Sequence, residues 1–261
     1  MAAQSSPSRR RFLLGGLGLG VAGVGALVLG WGVLPPRQRL HGSAPLPLHD
    51  GAVALNGWLA IQSDGTVLLA MPRSEMGQGV HTALPMLVAE ELDVPLSSVK
   101  LIQAPMDKIF GNVAMLKDSL PFHPDDQGRL KALAQWTVAK AARELGVIVT
   151  GGSSSVKDGW GPMREAGASA RAMLVGAAAA LWQVPAAQCR TENGDVLHPD
   201  GRRASYASLA QRAAAIDPGT PVLKLPKDFK LIGQPAPRRD TPSKVNGSAR
   251  FGIDARPPGM L

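Results

Sequence analysis

One cysteine, Cys189, is present among 261 residues. A lone thiol forms no internal disulfide and builds no cysteine-rich zinc site. Nor does it hold an iron–sulfur cluster, which takes about four thiolates. The five histidines, His41, His49, His81, His123 and His198, are scattered, and none makes the close pair of a metalloprotease helix. No residue is assigned as a metal ligand, and any metal used here arrives inside a cofactor. Aromatic side chains are also scarce, at 4%, whereas nucleic-acid binders set stacking rings beside their basic face. The net charge of +8 lies at the two ends, with +5 in residues 1–40 and +5 in 221–261. Nucleic acid is therefore excluded as a partner. The serines at 153–155 lack the Gly-x-Ser-x-Gly elbow of a serine hydrolase. Hydrophobic content of 45% with 18% charged residues describes an ordinary globular protein.

The amino terminus is the most legible segment. Arg9-Arg10-Arg11 directly precedes an apolar run from Phe12 to Leu34. That order is the one a secretory signal takes, and the paired arginines point to twin-arginine export into the periplasm. The run is long enough to span a bilayer, so retention as an inner-membrane anchor is the competing reading. Twin-arginine transport moves folded proteins, which suggests a cofactor inserted before export.

The remainder divides into a Pro-rich linker over 35–54, a module over 55–216 and an extended tail over 217–261. Ser63-Asp64-Gly65 predicts a hairpin between Trp58–Ile61 and Thr66–Met71. Spacing predicts a helix over Thr82–Leu92, a strand over Val99–Gln103 and irregular chain over 104–123. A long helix follows, capped by Asp125 or Asp126 and running to about Glu144. Its expected inner face is Leu130, Leu133, Ala134, Val138 and Ala141. Gly146 ends it, and Val147–Thr150 reads as a short strand. A second long helix spans about Pro162 to Trp182, with an inner stripe that includes Met163 and Leu181. Asn193-Gly194 predicts another hairpin, and Ser205 a cap for a helix over Tyr206–Ile216. The fold class is α+β, with short-stranded sheets and long packed helices.

Two loops stand out as candidate sites. Met76-Gly77-Gln78-Gly79 joins a strand to a helix. Its glycines permit close backbone approach, Gln78 offers amide donors and an acceptor, and the helix start beyond offers free N–H groups to an anion. A tight turn with a solvent-facing glutamine is the competing reading. Thr150 to Ser155, with Gly151, Gly152, Ser153, Ser154 and Ser155, is a second strand-end loop, suited by its N–H groups and hydroxyls to phosphate. A flexible serine-rich loop is its competing reading. His81 reads as a helix-cap or surface residue, and Cys189 as a small core residue.

At these loops the chain resembles a known family. Glu75-Met76-Gly77-Gln78-Gly79-Val80, with Thr82-Ala83-Leu84-Pro85-Met86-Leu87-Val88-Ala89-Glu90-Glu91-Leu92, is similar to the large (beta) subunit of isoquinoline 1-oxidoreductase. That is the molybdopterin-binding subunit of xanthine-oxidase-type molybdenum hydroxylases, whose relatives include exported aldehyde dehydrogenases. Thr150-Gly151-Gly152-Ser153-Ser154-Ser155-Val156, Met163-Arg164-Glu165-Ala166-Gly167-Ala168 and Lys244-Val245-Asn246-Gly247 extend the likeness. The resemblance implies the N-terminal part of a molybdenum-cofactor-binding domain. It implies a molybdopterin dinucleotide in the cytosine form, gripped by Gly77, Gln78 and Gly79 together with Gly151, Gly152, Ser153, Ser154 and Ser155. It also implies oxidation of an N-heterocycle or aldehyde with water-derived oxygen. Electrons would leave through a separate small subunit with 2Fe-2S clusters, and a cytochrome c is a further candidate acceptor. Twin-arginine export machinery completes the expected partners.

Family large subunits are considerably longer than this chain, which therefore reads as an amino-terminal portion, expected to be inactive alone. The family's catalytic glutamate lies near its carboxyl end, so no catalytic residue is assigned here. The rival reading is a non-catalytic, membrane-tethered periplasmic remnant or a binding protein.

Overall fold

The computed structural model describes residues 38–49 and 51–260. The expected export segment, 1–34, lies outside them. Among the described residues, no helix is long and apolar enough to cross a membrane.

The first sheet runs in the order β1 (Val53–Ala54), β2 (Leu59–Ile61), β3 (Val67–Met71) and β4 (Val99–Gln103). The expected hairpin is β2–β3, antiparallel with Leu59 opposite Leu69. Its turn follows from local chemistry: Gly65 takes φ +85, and Asp64 Oδ1 accepts the Thr66 N–H at 2.8 Å. β3 then pairs in parallel with β4, Val67 opposite Val99. A parallel pair needs a crossover, and α1 (Val80–Leu92) supplies it. The candidate glycine loop is thus the chain leaving the carboxyl end of β3, where α/β sheets place their ligands.

α1 packs against α4 (Ser155–Trp182), which begins seven residues before the expected Pro162. The two helices approach closely because α4 is small at the crossing. A Cβ on Gly167 would lie 2.9 Å from the Val88 carbonyl oxygen and the Glu91 Cβ. The stripe of Met163, Ala166, Ala170, Met173, Leu174 and Ala177 is buried as expected, but Leu181 is 47% exposed near the helix end. The second sheet, β5 (Arg190–Glu192), β6 (Asp195–Leu197) and β7 (Arg203–Ser205), is antiparallel and turns at Asn193-Gly194, both with positive φ. Ser205 caps α5 (Tyr206–Ala213) by accepting the Ser208 N–H at 3.2 Å. Tyr206 is buried, and its hydroxyl donates to the Leu92 carbonyl at 2.7 Å. Cys189 packs partly buried against the core, which pushes its thiol pKa up.

Four expectations are corrected. Residues 104–123 contain a short helix, α2 (Val113–Asp118), capped by Asn112. Val147–Thr150 is not a strand; it is held by Asn112, whose N–H donates to Val147 O at 2.8 Å and whose amide donates to Val149 O at 3.1 Å. The long helix, α3 (Arg129–Leu145), starts after the expected caps, because Asp126 binds the Gly128 N–H instead of capping the first turn. Its inner face is also only partly as expected, with Ala134 and Val138 half-buried and Ala141 exposed. Leu130 and Leu133 are 71% and 61% exposed, while Lys140, Ala142 and Arg143 are buried. The Arg143 guanidinium reaches inward to the carbonyls of Lys108 and Gln38 at 2.5 and 2.9 Å. Gly146 ends the helix as expected, at φ +63.

Candidate functional site

The two glycine loops meet. Thr150 Oγ accepts the Ser74 N–H at 2.9 Å. Beside this bridge, Gln78 and Met76 from the first loop line an open cavity of about 400 Å³ with Gly151, Gly152, Ser153 and Ser155 from the second. A larger cavity of about 680 Å³ adjoins it, sharing Met76 and Thr150. Of the eight residues singled out in the sequence, five line the shared cavity, and Gly77, Gly79 and Ser154 do not.

Each loop has its own internal order. In the first, Glu75 folds back over the start of α1 and accepts the N–H groups of Gly77 and Gly79 at 2.9 Å and of His81 at 3.0 Å. Burial alone would raise the Glu75 carboxyl; these three N–H groups more than offset that and hold its pKa below the usual carboxylate value. This corrects one expectation. The start of α1 is not open to an external anion, since the chain's own carboxylate occupies it. Gly77 and Gly79 adopt φ +97 and +80, the left-handed conformations that let the backbone wrap that carboxylate. Gln78 is exposed; its Oε accepts the Met76 N–H at 2.5 Å and its amide donates to Ser74 O at 2.9 Å. One amide hydrogen and one lone pair remain for a ligand. The His81 ring contacts the Arg73 carbonyl at 2.8 Å, so His81 acts within the loop's own frame.

In the second loop Ser154 is fully buried. Its hydroxyl donates to Gly151 O and accepts from the Asn112 amide, each at 2.7 Å, which fixes the turn from beneath. Gly152 and Ser153 follow left-handed paths at φ +59 and +50. No side chain caps α4. The open N-terminus of this helix, which is 28 residues long, faces the cavity through Ser155 and Val156. Unpaired N–H groups and the helix dipole make that end a site for a negative group. The open helix start beside the cavity is thus that of α4, not that of α1.

Beneath both loops lies a polar centre that spacing did not reveal. Asp158, on the first turn of α4, accepts from Arg39 at 3.1 and 2.9 Å and from Arg73 at 2.7 Å. The same carboxylate takes the Val113 and Ala114 N–H groups at 2.9 and 3.1 Å. All three charged side chains are at least nine-tenths buried. Arg73 leads directly into the first loop and Asp158 follows the second, so this pair ties the two loops together. Asn112 and Glu75 were also missed. Glu75 lies inside the recognised block, but nothing in its spacing says that it fills the helix start. Among the described residues, no cluster of His, Cys, Asp and Glu is disposed to hold a metal ion.

Two backbone loops and an open helix end thus form a cleft whose N–H, amide and hydroxyl donors suit a polar, negatively charged ligand. Comparison with known proteins shows what the chain is similar to. Residues 20–114, which include the first loop, match the molybdopterin cofactor-binding domain. The chain is 35% identical to the beta subunit of isoquinoline 1-oxidoreductase from Brevundimonas diminuta, over 80% of this chain and 28% of that protein. It is 29% identical to a membrane-bound aldehyde dehydrogenase of Gluconacetobacter polyoxogenes, over 99% of this chain and 29% of that protein. A nicotinate dehydrogenase subunit of Pseudomonas putida is 27% identical, over 99% of this chain and 18% of that protein. The chain thus spans less than a third of the length of these relatives. Reconstituted CO dehydrogenase from Oligotropha carboxidovorans is a distant structural neighbour, at TM-score 0.39 and 14% identity over 82% of this chain and 24% of that one. Residues 20–114 thus match a molybdopterin cofactor-binding domain, and the chain is similar to part of the beta subunit of isoquinoline 1-oxidoreductase. Its relatives are oxidoreductases.

Proposed function

We propose that this chain supplies cofactor-gripping loops to the large subunit of a molybdenum hydroxylase that oxidises N-heterocycles or aldehydes. The observation that carries the reading is the single cavity lined by Gln78 and by Gly151, Gly152, Ser153 and Ser155, with the open start of α4 at its wall. This donor set fits a molybdopterin dinucleotide: neutral amide, hydroxyl and N–H donors face the cavity, while Glu75 is turned into its own loop. The Ser155 and Val156 N–H groups and the Gly152–Ser153 turn would hold phosphate, and Gln78 would orient the polar pterin end. Ser154, Gly77 and Gly79 shape the loops from behind. When bound, the molybdenum centre supplies the two-electron oxidation of substrate. The residues of this chain hold and orient it, and Met76, Val80 and Ala83 give the cavity an apolar wall that limits water.

The finer expectations belong to the same proposal. The cofactor is taken as the cytosine dinucleotide, and electrons pass to a small subunit carrying 2Fe-2S clusters and on to an acceptor such as a cytochrome c. The paired arginines at 9–11 support twin-arginine export, with the apolar run either cleaved or kept as an inner-membrane anchor.

The test is metal analysis and pterin extraction on the complete protein, alongside Gln78→Ala and Ser155→Ala variants. Stoichiometric molybdenum and pterin in the parent, reduced in the variants, support the reading. Background molybdenum with no extractable pterin would identify a non-catalytic remnant instead.

A further inference from the structure

The tail is a strap laid along α1 from end to end. At the carboxyl end of the helix, buried Glu90 accepts the N–H groups of Lys230, Leu231 and Ile232 at 2.9, 2.6 and 3.1 Å. Beside it Glu91 accepts the Lys224 N–H at 3.0 Å and the Arg164 guanidinium at 2.8 Å. At the other end, the Arg239 N–H donates to the Thr82 hydroxyl at 3.1 Å. The strap finishes on the first cofactor loop. The Arg238 guanidinium donates to Gly77 O at 2.8 Å and to the Glu75 carboxylate at 3.3 Å. Asp240 grips the same guanidinium from behind, at 3.3 and 3.1 Å.

The crest of that loop has little else to fix it. Met76, Gly77 and Gln78 are exposed, and a Cβ on Gly77 would meet nothing within 4 Å. Its order comes from hydrogen bonds made by Glu75 and Gln78 inside the loop. Among the described residues, no side chain from outside the loop other than Arg238 hydrogen-bonds residues 75–79. A guanidinium suits the place, because its planar fork reaches a carbonyl and a carboxylate at once, which an ammonium does poorly.

We infer that Arg238 is a positioning residue for the cofactor loop, acting through the Gly77 carbonyl and the Glu75 carboxylate to hold Gln78 against the shared cavity. The inference rests on the functional reading above. It makes cofactor retention depend on a residue about 160 positions away, on a segment with no place in the cavity wall. Arg238 is 40% exposed, so its removal leaves no buried void, and the buried Glu75 carboxylate keeps its three N–H donors.

The experiment compares Arg238→Ala, Arg238→Lys and the parent in the complete protein. It reads molybdenum and pterin release, amide hydrogen exchange of residues 75–80, and the melting temperature. Arg238→Ala is expected to release cofactor about tenfold faster, the effect of roughly one charged hydrogen bond. Exchange at 75–80 should speed up while the melting temperature stays unchanged, and Arg238→Lys should recover part of both losses. Unchanged exchange and release in Arg238→Ala overturn the positioning role. So does a global loss of stability, which would make the residue merely structural. A parent protein without molybdenum or pterin overturns the functional reading instead, and the exchange data then still decide whether Arg238 orders the loop.

Discussion

Asp158→Ala is the substitution with the most to break. The carboxylate lies 2.9 Å from Arg39 and 2.7 Å from Arg73, and the relative exposure of the three side chains is 2%, 9% and 2% in turn. Deleting it leaves two buried guanidinium groups on which no carboxylate remains, and strips the start of α2 of its acceptor. Removing one partner from a buried ion pair costs about 3–5 kcal/mol, chiefly because the remaining charge is stranded in low dielectric. Two stranded cations put this variant at the upper end of that range. At an m-value of about 2 kcal/mol/M, the urea midpoint should fall by roughly 2 M. Fluorescence of Trp58 follows the change: the ring is buried, stands edge-on to Phe110 with centroids 4.8 Å apart, and lies 5.7 Å from the Arg39 guanidinium. Asp158→Asn keeps the volume but turns an amide donor toward the guanidinium groups, so it should recover little. Adding Arg39→Met to Asp158→Ala should be milder than the sum of the two, with a coupling of about 0.5–3 kcal/mol. A loss below about 1 kcal/mol for Asp158→Ala would show that water or rearranged carbonyls satisfy both arginines, and the clamp would be no clamp.

Gly167→Ala should cost about 1–3 kcal/mol, since its methyl has no room beside Val88 O and Glu91 Cβ and the helices must part; a neutral denaturation midpoint refutes the tight crossing. Leu130→Gln with Leu133→Gln should change stability by less than about 0.5 kcal/mol while lowering binding of a hydrophobic dye. A loss above about 2 kcal/mol would mean that the predicted inner face is buried after all. The strap should let go in acid. Burial alone would raise the Glu90 carboxyl, but the Leu231, Ile232 and Lys230 N–H groups override it and hold its pKa below 4.5. The sign follows: a carboxyl depressed on folding stabilises fully above its unfolded pKa, near 4.3, and that stabilisation fades as pH falls through the folded value. Pepsin cleavage within 221–232, scaled to the protease's own activity at each pH, should therefore rise as pH falls through the carboxylate range in the parent. Glu90→Gln should be cleaved readily with a weaker dependence, the remainder coming from Asp93, which holds Lys224 and Lys230. A parent strap equally resistant at pH 2.5 and pH 5 would remove Glu90 from this role.

What the sequence disclosed and what it hid separate along physical lines. Turn and cap chemistry is local, so Asp64-Gly65, Asn193-Gly194, Ser205 and Gly146 all act where the residue types put them. The strand Val99–Gln103 was equally plain. The face of α3 was not, because periodicity shows that a helix has two faces without showing which one the core takes. Here long Lys140 and Arg143 stems go inward, with Arg143 bonded to backbone carbonyls, and the leucines remain outside. The two loops were legible as glycine-rich turns, and their convergence across 70-odd positions came from the recognised blocks, with no signal in spacing. Glu75 was hidden in plain sight. A carboxylate in a motif reads as a candidate ligand contact, yet this one satisfies its own loop's N–H groups and leaves α4 as the helix start without a side-chain cap at the cavity.

Two clamps of different kind therefore act at the site, Asp158 on the pair of loops and Arg238 on the first loop alone, and that difference makes them separable. Asp158 acts from below, in the core, through charges that are at least nine-tenths buried; disturbing it loosens the fold and the cavity together. Arg238 acts from above, at the surface, on a loop crest that packing does not support. A contact in solvent contributes little to global stability, yet it decides the conformation of the few residues it touches when nothing else does. Cofactor retention and folding stability should fall together in Asp158 variants and part company in Arg238 variants. If both series instead track one line of retention against stability, the loops are ordered by the fold as a whole and neither residue has a role of its own at the site.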